Sequence, residues 1–333
     1  MKRNDNVPDG ERPDVRVERL LDGPIIASDL HPSIGPNIQG PSMIKAPEWI
    51  EGRLGNYYLY FADHKGRYIR LAYADNPLGP WRIYPPGSLQ LEESRFLTEP
   101  PKVTAEQFAQ FEARLQQSGV VISHDLLSEI TTPHIASPDV HVDTPGRRIV
   151  MYFHGLDAVG TQVTRVASSH NGIDFNAQPE VLGRSYMRAF QHDGMTFAMA
   201  MPGQFYRSRD PLGGFEEGPL LFNPNMRHAA FLKRGDTLFV FWTQVGDAPE
   251  SIRVSTIDIG GDWAGWSVAP PVEVLRPERP WEGADAPLSP SLRSTAYGHL
   301  NQLRDPAVFE EGGRIYLLYA VAGESGIAIA EVK

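Results

Sequence analysis

The amino-acid sequence predicts an all-β fold: a five-bladed β-propeller with one helical insertion between the first two blades. Three observations predict it. Glycine and proline (31 and 29 of 333 residues) make up nearly a fifth of the chain, too much turn chemistry for a helical protein, yet short of the roughly 25–30% at which a chain reads as low-complexity. Hydrophobic residues at 41% and aromatics at 10% suffice for a packed core, which excludes disorder for the bulk of the chain. And one strand pattern occurs five times.

Five segments, 56–63 (NYYLYFAD), 148–155 (RIVMYFHG), 195–202 (MTFAMAMP), 236–243 (DTLFVFWT) and 314–321 (RIYLLYAV), are short, apolar and rich in aromatic or β-branched residues, as buried strands are. Each follows a turn and an earlier apolar run (42–44, 139–142, 188–191, 228–232, 305–309). Each precedes a third strand (68–74, 162–168, 204–208, 252–257, 326–332). Third strands end in similar turns: Asn76-Pro77-Leu78-Gly79-Pro80 matches Asp210-Pro211-Leu212-Gly213-Gly214, and Asn171-Gly172-Ile173-Asp174 is a looser copy. Asp and Asn bond their own backbone there and Gly supplies positive φ; the aromatic that follows (Trp81, Phe215, Phe175) starts an outer fourth strand. The second strands begin 92, 47, 41 and 78 residues apart, a unit of about 45 residues with two insertions. A β-sandwich would not explain five copies of one pattern.

Residues 1–23 form an N-terminal extension, and a strand near 17–26 is placed to complete the last blade and close the ring; 24–333 form the propeller domain. The first insertion, about 92–130, carries the clear helix: Thr104 with Gln107 makes a capping box, Phe108, Phe111 and Leu115 share a face, and Gly119 stops it. It is expected to pack on the side of the propeller, with a lid as the alternative. The second insertion, about 269–300, is Pro-rich and is expected to cover one mouth.

Thirty-one basic against 41 acidic side chains leave a net charge of −10, which disfavours nucleic acid and membrane surfaces as partners. No cysteine is present, so there is no disulfide and no thiolate chemistry. No signal sequence and no apolar run of membrane-spanning length is visible, so a cytoplasmic location is expected. The oligomeric state is not legible.

In a propeller the inner strands line the channel and their N-terminal ends crowd one mouth. The stretches opening the five inner strands hold Gln39, His134, Asp139 and His141, Arg188, Arg227 and His228, and His299, Arg304 and Asp305. Carboxylates converging on one pocket suit glycosidic cleavage, in which one group protonates the leaving oxygen while another activates water or attacks. Asp63 and His64, at the end of a second strand, are expected on the far side from an inner-strand start and are weaker substrate-binding candidates. Several channel histidines (His141, His228, His299) are candidate ligands for a divalent cation, although no tight metal-binding spacing is present. Trp49, Trp81 and Trp263 are expected to pack within blades.

Three motifs resemble the five-bladed propeller glycosidases of glycoside hydrolase families 43, 32 and 117. Leu303-Arg304-Asp305-Pro306 resembles their Arg/Ala-Asp-Pro motif, Ser137-Pro138-Asp139-Val140 their Ala-Pro-Asp-Val motif, and Gln39-Gly40-Pro41-Ser42 their Glu-Gly-Pro motif. The resemblance spans about residues 24–333. It implies a glycoside hydrolase acting on a small or oligomeric sugar, with Asp305 as base, nucleophile or transition-state stabiliser and Asp139 tuning the acid and orienting the sugar; Gln39, Arg188, Arg227, His141, Arg304, Asp63 and His64 are, from their positions, the candidate substrate-binding residues, with Arg188 and Arg227 alternatively pairing with the two aspartates. It also implies calcium or another cation on the axis of some relatives; no cofactor is otherwise required. Two departures stand out: Gln39 occupies the acid position and has no acidic proton to give, and the Asp-Pro motif falls in the last blade rather than the first. The family 117 relatives imply a histidine acid, for which His134 ranks ahead of His141, His64 and His154. The alternatives are a histidine- and metal-dependent lyase or isomerase on the same scaffold, and a catalytically silent sugar-binding propeller.

Overall fold

The computed structural model describes residues 14–119 and 121–333; the first 13 residues of the expected N-terminal extension lie outside these. Strands β1 (Val17–Arg19) and β2 (Ile26–Ala27) come first. The next blade is β3 (Gln39–Lys45), β4 (Tyr57–Ala62), β5 (Tyr68–Ala74) and β6 (Arg82–Gln90). Helices α1 (Ala105–Ser118) and α2 (Leu126–Thr131) follow. The second full blade holds β7 (Ile135–Asp143), β8 (Arg148–Ala158), β9 (Thr161–Ser169), β10 (Asn176–Ala177) and β11 (Gly183–Arg184). Then come β12 (Arg188–His192), β13 (Met195–Ala200), β14 (Gln204–Ser208) and β15 (Glu216–Leu220), followed by β16 (Met226–Arg234), β17 (Thr237–Gln244), β18 (Ile252–Asp258) and β19 (Val272–Leu275). The last blade is β20 (Arg304–Glu311), β21 (Arg314–Val321) and β22 (Gly326–Val332). β1 and β2 pair antiparallel with β22, so the start of the chain supplies the outer strand of the last blade.

Each blade is an antiparallel meander. The period-2 alternation of a strand splits each second strand between two neighbours. Tyr57, Leu59 and Phe61 of β4 pack toward the last blade, among Phe309, Tyr316 and Leu318; Tyr58 and Tyr60 pack toward the β7–β9 blade, among Ile149, Met151 and Phe153. Three further clusters fill the remaining blade–blade interfaces. The five continuously apolar segments follow from this: a strand flanked by blades on both faces has no polar side.

The capping box of Thr104 and Gln107 is formed, and Gly119 closes α1 in the left-handed conformation. No side chain of α1 is fully buried. Its Phe111 lies against the turn at Gly160, where an added Cβ would come within 2.4 Å of the ring.

Candidate functional site

The inner strands carry a repeated distortion where they begin. The pairing register slips between Gln39 and Ser42, Ala136 and Asp139, Arg227 and Ala229, and Arg304 and Ala307. At each slip one residue takes a positive φ: Gly40 (+63°), Ser137 (+50°), His228 (+48°) and Asp305 (+48°). Tyr186, two residues ahead of β12, does the same (+61°). A β-bulge of this kind re-aims a side chain, and here the bulges bring five blades to one axial cluster. Non-glycine residues in this region of φ/ψ cost energy, and such strain gathers at functional sites.

Asp305 is the centre of the cluster and is 1% exposed. The Tyr186 hydroxyl donates to its Oδ1 at 2.8 Å, and His228 Nε2 stands 3.7 Å from the same oxygen. Its other oxygen, Oδ2, is buried without a partner. Burial and the nearby charge of Glu324 push the Asp305 carboxyl up to about 6. An arc of rings runs from it: Tyr186 to His228 at 5.0 Å, Tyr186 to His154 at 6.2 Å, His154 to His134 at 6.1 Å. His134 is wholly buried, and its Nδ1 lies 2.8 Å from the Thr132 carbonyl. A carbonyl only accepts, so Nδ1 carries the proton and Nε2, which has no partner, presents a lone pair. Burial and the Lys65 ammonium hold His134 down to about 3. Burial also keeps His154 and His228 well below the usual histidine range. Gln39 accepts from Ser137 Oγ at 3.0 Å and leaves its buried amide nitrogen unpaired.

An ion network walls the cluster. Arg304 meets Glu324 at 2.8 Å and Glu250 at 3.3 Å, and Arg227 forms a bidentate pair with Glu250. Glu324 also takes Asn37 at 2.8 Å and His64 at 3.2 Å; against the cost of burial, His64, Arg304 and Asn37 hold it down to about 2. The second insertion crosses this mouth as a strap. Its Leu292 carbonyl accepts from Arg227 at 3.0 Å and its Ser294 carbonyl from Arg304 at 3.1 Å. Ser294 Oγ and His124 both bond Glu129 of α2, at 2.7 and 2.8 Å, with Lys65 at 3.3 Å. The two insertions therefore meet over the N-terminal ends of the inner strands.

The opposite mouth is open. A cavity of about 760 Å³ is lined by the C-terminal halves of the five inner strands and by Trp49. Asp139 and His141 line it, with His141 Nε2 2.7 Å from Asp139 Oδ2. Arg188 separates them from Asp305: its guanidinium is 3.7 Å from Asp139 Oδ1 and donates at 3.1 Å to the Tyr186 hydroxyl.

Asp305, His134, Gln39, His154 and His228 thus come together. Asp139 and His141 lie across Arg188 on the other side, because Asp139 follows the bulge and points between blades, where its Oδ2 accepts from Ala189 N at 2.8 Å. Arg227 and Arg304 are committed to buried carboxylates and strap carbonyls rather than open to a substrate. His64 stands in the cluster's wall, not on the far side: β3 and β4 are antiparallel, with Gln39 opposite Ala62, so a second strand ends where the inner strand begins. Asp63, beside it, is partly exposed and pairs with Arg70 at 3.5 Å. The same arithmetic would have found Glu250 and Glu324, which sit in the corresponding turns of later blades; Tyr186 carried no signal beyond its place before β12. His299 bonds Asp285 at 2.6 Å on the surface. Trp81 and Trp263 are packed within the molecule.

His141, His228 and His299 occupy three separate places, and among the described residues no group of three or more His, Asp or Glu side chains is gathered to hold a metal ion. The axial cluster does not fit a cation site of that kind. No helix among the described residues is long and apolar enough to cross a membrane.

No known protein-family profile matches the chain. Among solved structures it is similar to a family 43 β-xylosidase/α-arabinofuranosidase from a compost microbial metagenome (TM-score 0.53, 12% identity, 95% of this chain and 94% of that one). It is likewise similar to an exo-1,5-α-L-arabinanase from a bovine ruminal metagenomic library (0.51, 11%, 90% and 94%) and to a thermostable family 43 glycoside hydrolase (0.52, 14%, 89% and 88%). The fold is that of the five-bladed propeller glycoside hydrolases. Over 322 residues, 89% of this chain and 83% of the other, it is 35% identical to uncharacterized protein R118 of Acanthamoeba polyphaga mimivirus, and it belongs to the same family as that protein.

Proposed function

We propose that the protein hydrolyses a glycosidic bond at the axial cluster, with Asp305 as the proton donor. The observation that carries this is the Asp305 carboxyl: strained, fully buried, held on one oxygen by Tyr186, free on the other, and raised to about 6. A carboxyl in that range holds its proton below about pH 6 and keeps it in a minority of molecules near neutrality, where it can give it to a leaving oxygen. This reverses the role expected from the Arg-Asp-Pro motif and answers the question raised by Gln39. His134, kept neutral with Nε2 free, would accept a hydrogen bond that orients the attacking water, the proton the water loses replacing the one Asp305 gives up, and the Gln39 amide and His154 would bind sugar hydroxyls. Asp139 would act on Asp305 only through Arg188 and Tyr186. A substrate reaches the cluster when the 291–296 strap parts from Glu129, Arg227 and Arg304.

The test is turnover on a panel of aryl glycosides and oligosaccharides. Asp305→Asn should lower kcat/KM by roughly 100-fold or more; full activity of that variant on the best substrate would refute the assignment. The carboxylates Glu250 and Glu324 are both locked in ion pairs, which favours as a second reading a propeller that binds sugar without cleaving it. Sugar binding with no turnover across the panel would select that reading.

A further inference from the structure

The strap over the axial cluster sits on a built set of hydrogen-bond donors. Three alternate residues turn their carbonyls onto it. The Leu292 carbonyl accepts from Arg227 Nη1 at 3.0 Å and from Arg304 Nη2 at 3.4 Å, the Ser294 carbonyl from Arg304 Nη1 at 3.1 Å, and the Ala296 carbonyl from Asn37 Nδ2 at 3.2 Å. All three donor side chains are buried, and each is fixed from behind. Glu250 grips Arg227, Gln302 and Glu324 hold Arg304 at 3.0 and 2.8 Å, and Glu324 holds Asn37 at 2.8 Å. The carboxylates thus orient the guanidinium forks, and the N–H groups left over face the strap. The strap is held there at a cost: Ser294 takes φ +74°, unfavourable for a residue other than glycine, and the apolar Leu292 and Tyr297 side chains stay exposed.

A lifted strap leaves Arg227, Arg304 and Asn37 offering donors only, since both oxygens of Glu250 and of Glu324 are already taken. A sugar hydroxyl would accept there but find no acceptor for its own proton, whereas a carboxylate only accepts. Two guanidiniums meeting at one oxygen position, one of them offering both terminal nitrogens, is how arginine recognises a planar anion. The charges permit one. Arg227, Arg304 and Lys65 are matched by Glu250, Glu324 and Glu129, Arg70 by Asp63, and Asp305 adds no charge while it holds its proton. His64 and His124 each rest on one of these carboxylates, at 3.2 and 2.8 Å, and a proton on either makes the mouth positive. The strap brings one more cation, Arg293, which bonds the Pro224 carbonyl at 3.3 Å. We propose that the substrate of this mouth is an acidic sugar, a uronic acid, whose carboxylate takes the place of the strap carbonyls on Arg227 and Arg304. This rests on reading the axial cluster as a glycosidic site, and it adds the charge of the substrate.

Calorimetry on the wild-type chain tests it, with methyl glycosides of glucuronic and galacturonic acid against those of glucose and galactose. At least one uronide should bind roughly tenfold or more tighter than its neutral counterpart, the margin of one charge-assisted bond. Arg227→Lys, which keeps the charge beside Glu250 but loses the fork, should remove most of that margin; thermal melting checks that it folds. Ser294→Ala leaves every donor in place and frees the strap from Glu129, so it should tighten uronide binding by roughly threefold or more, because the open form is more populated. Uronides that bind no tighter than neutral glycosides overturn the inference, and hydrolysis stands if the neutral ones are cleaved. Uronides that bind tighter while no aryl glycoside or aryl uronide is cleaved uphold the inference and remove hydrolysis. Uronide binding unchanged in both variants would place the anion elsewhere and overturn it.

Discussion

Asp305 and Glu324 share one buried cluster yet are driven in opposite directions, the first up to about 6 and the second down to about 2. Glu324 has Arg304, Asn37 and His64 around it; Asp305 has the Tyr186 hydroxyl and an unfilled oxygen. Two carboxyls pushed apart in this way divide proton-holding from charge-holding. The negative charge of Glu324 is one cause of the raised Asp305 value, so Glu324→Gln should lower it. In the proposed mechanism Asp305 acts in its protonated form, so wild-type activity should fall as pH rises through about 6, and in Glu324→Gln that fall should come at lower pH. The kcat/KM profile of both proteins measures this; an unmoved alkaline limb would remove Glu324 from the account. Asp305 and His134 were legible because they stand in short motifs at inner-strand starts. Glu324 stands in no motif; only the antiparallel pairing of inner and second strands, which returns the turn after each second strand to the same mouth, places it there.

At the scale of elements, the second strands were legible because burial between two blades leaves them no polar face. Four inner strands begin ahead of the expected 42, 139, 228 and 305, because the bulge interrupts alternation just where the pattern would extend; β12, which carries no slip, begins at Arg188 as expected. The structure starts β3 at Gln39 and β7 at Ile135. The bulge of β3 brings two inner strands close together: a Cβ on Gly40 would lie 2.7 Å from Ser137 Cα. Gly40→Ala should therefore destabilise the fold by roughly 1–3 kcal/mol from the left-handed backbone alone, and by more from the clash between neighbouring inner strands. Denaturant unfolding measures it. A midpoint equal to wild type would mean that the inner strands are not held at this separation.

Across the whole molecule, five apolar interfaces are wrapped around an axis that is polar and buried. His134, His154 and His228 stand there neutral, His134 held down to about 3 and the other two well below the ordinary value. In the unfolded chain each takes up a proton near pH ~6.5. The unfolded state therefore binds more protons than the folded one below that pH, and stability falls on acidification, by up to about 1.4 kcal/mol per pH unit for each histidine. Asp305 works the other way: its folded value is raised, so it favours the folded state as pH drops from about 6 toward its unfolded value. Three histidines against two raised carboxyls, Asp305 and Asp247, leave a net loss. The lowered carboxyls, Glu324 and Asp139 among them, add to it only at still lower pH, near their unfolded values of ~4. The window between about pH 6.5 and 4.5 thus belongs to the axis. Thermal melting followed from pH 7.5 down to 5 should show Tm falling steadily, and His154→Gln, which removes one of the three proton sites, should make the fall shallower even where it lowers Tm itself. A Tm that stays level across this range would mean that the axial histidines are solvated, and the buried cluster around Asp305 would have to be abandoned with them.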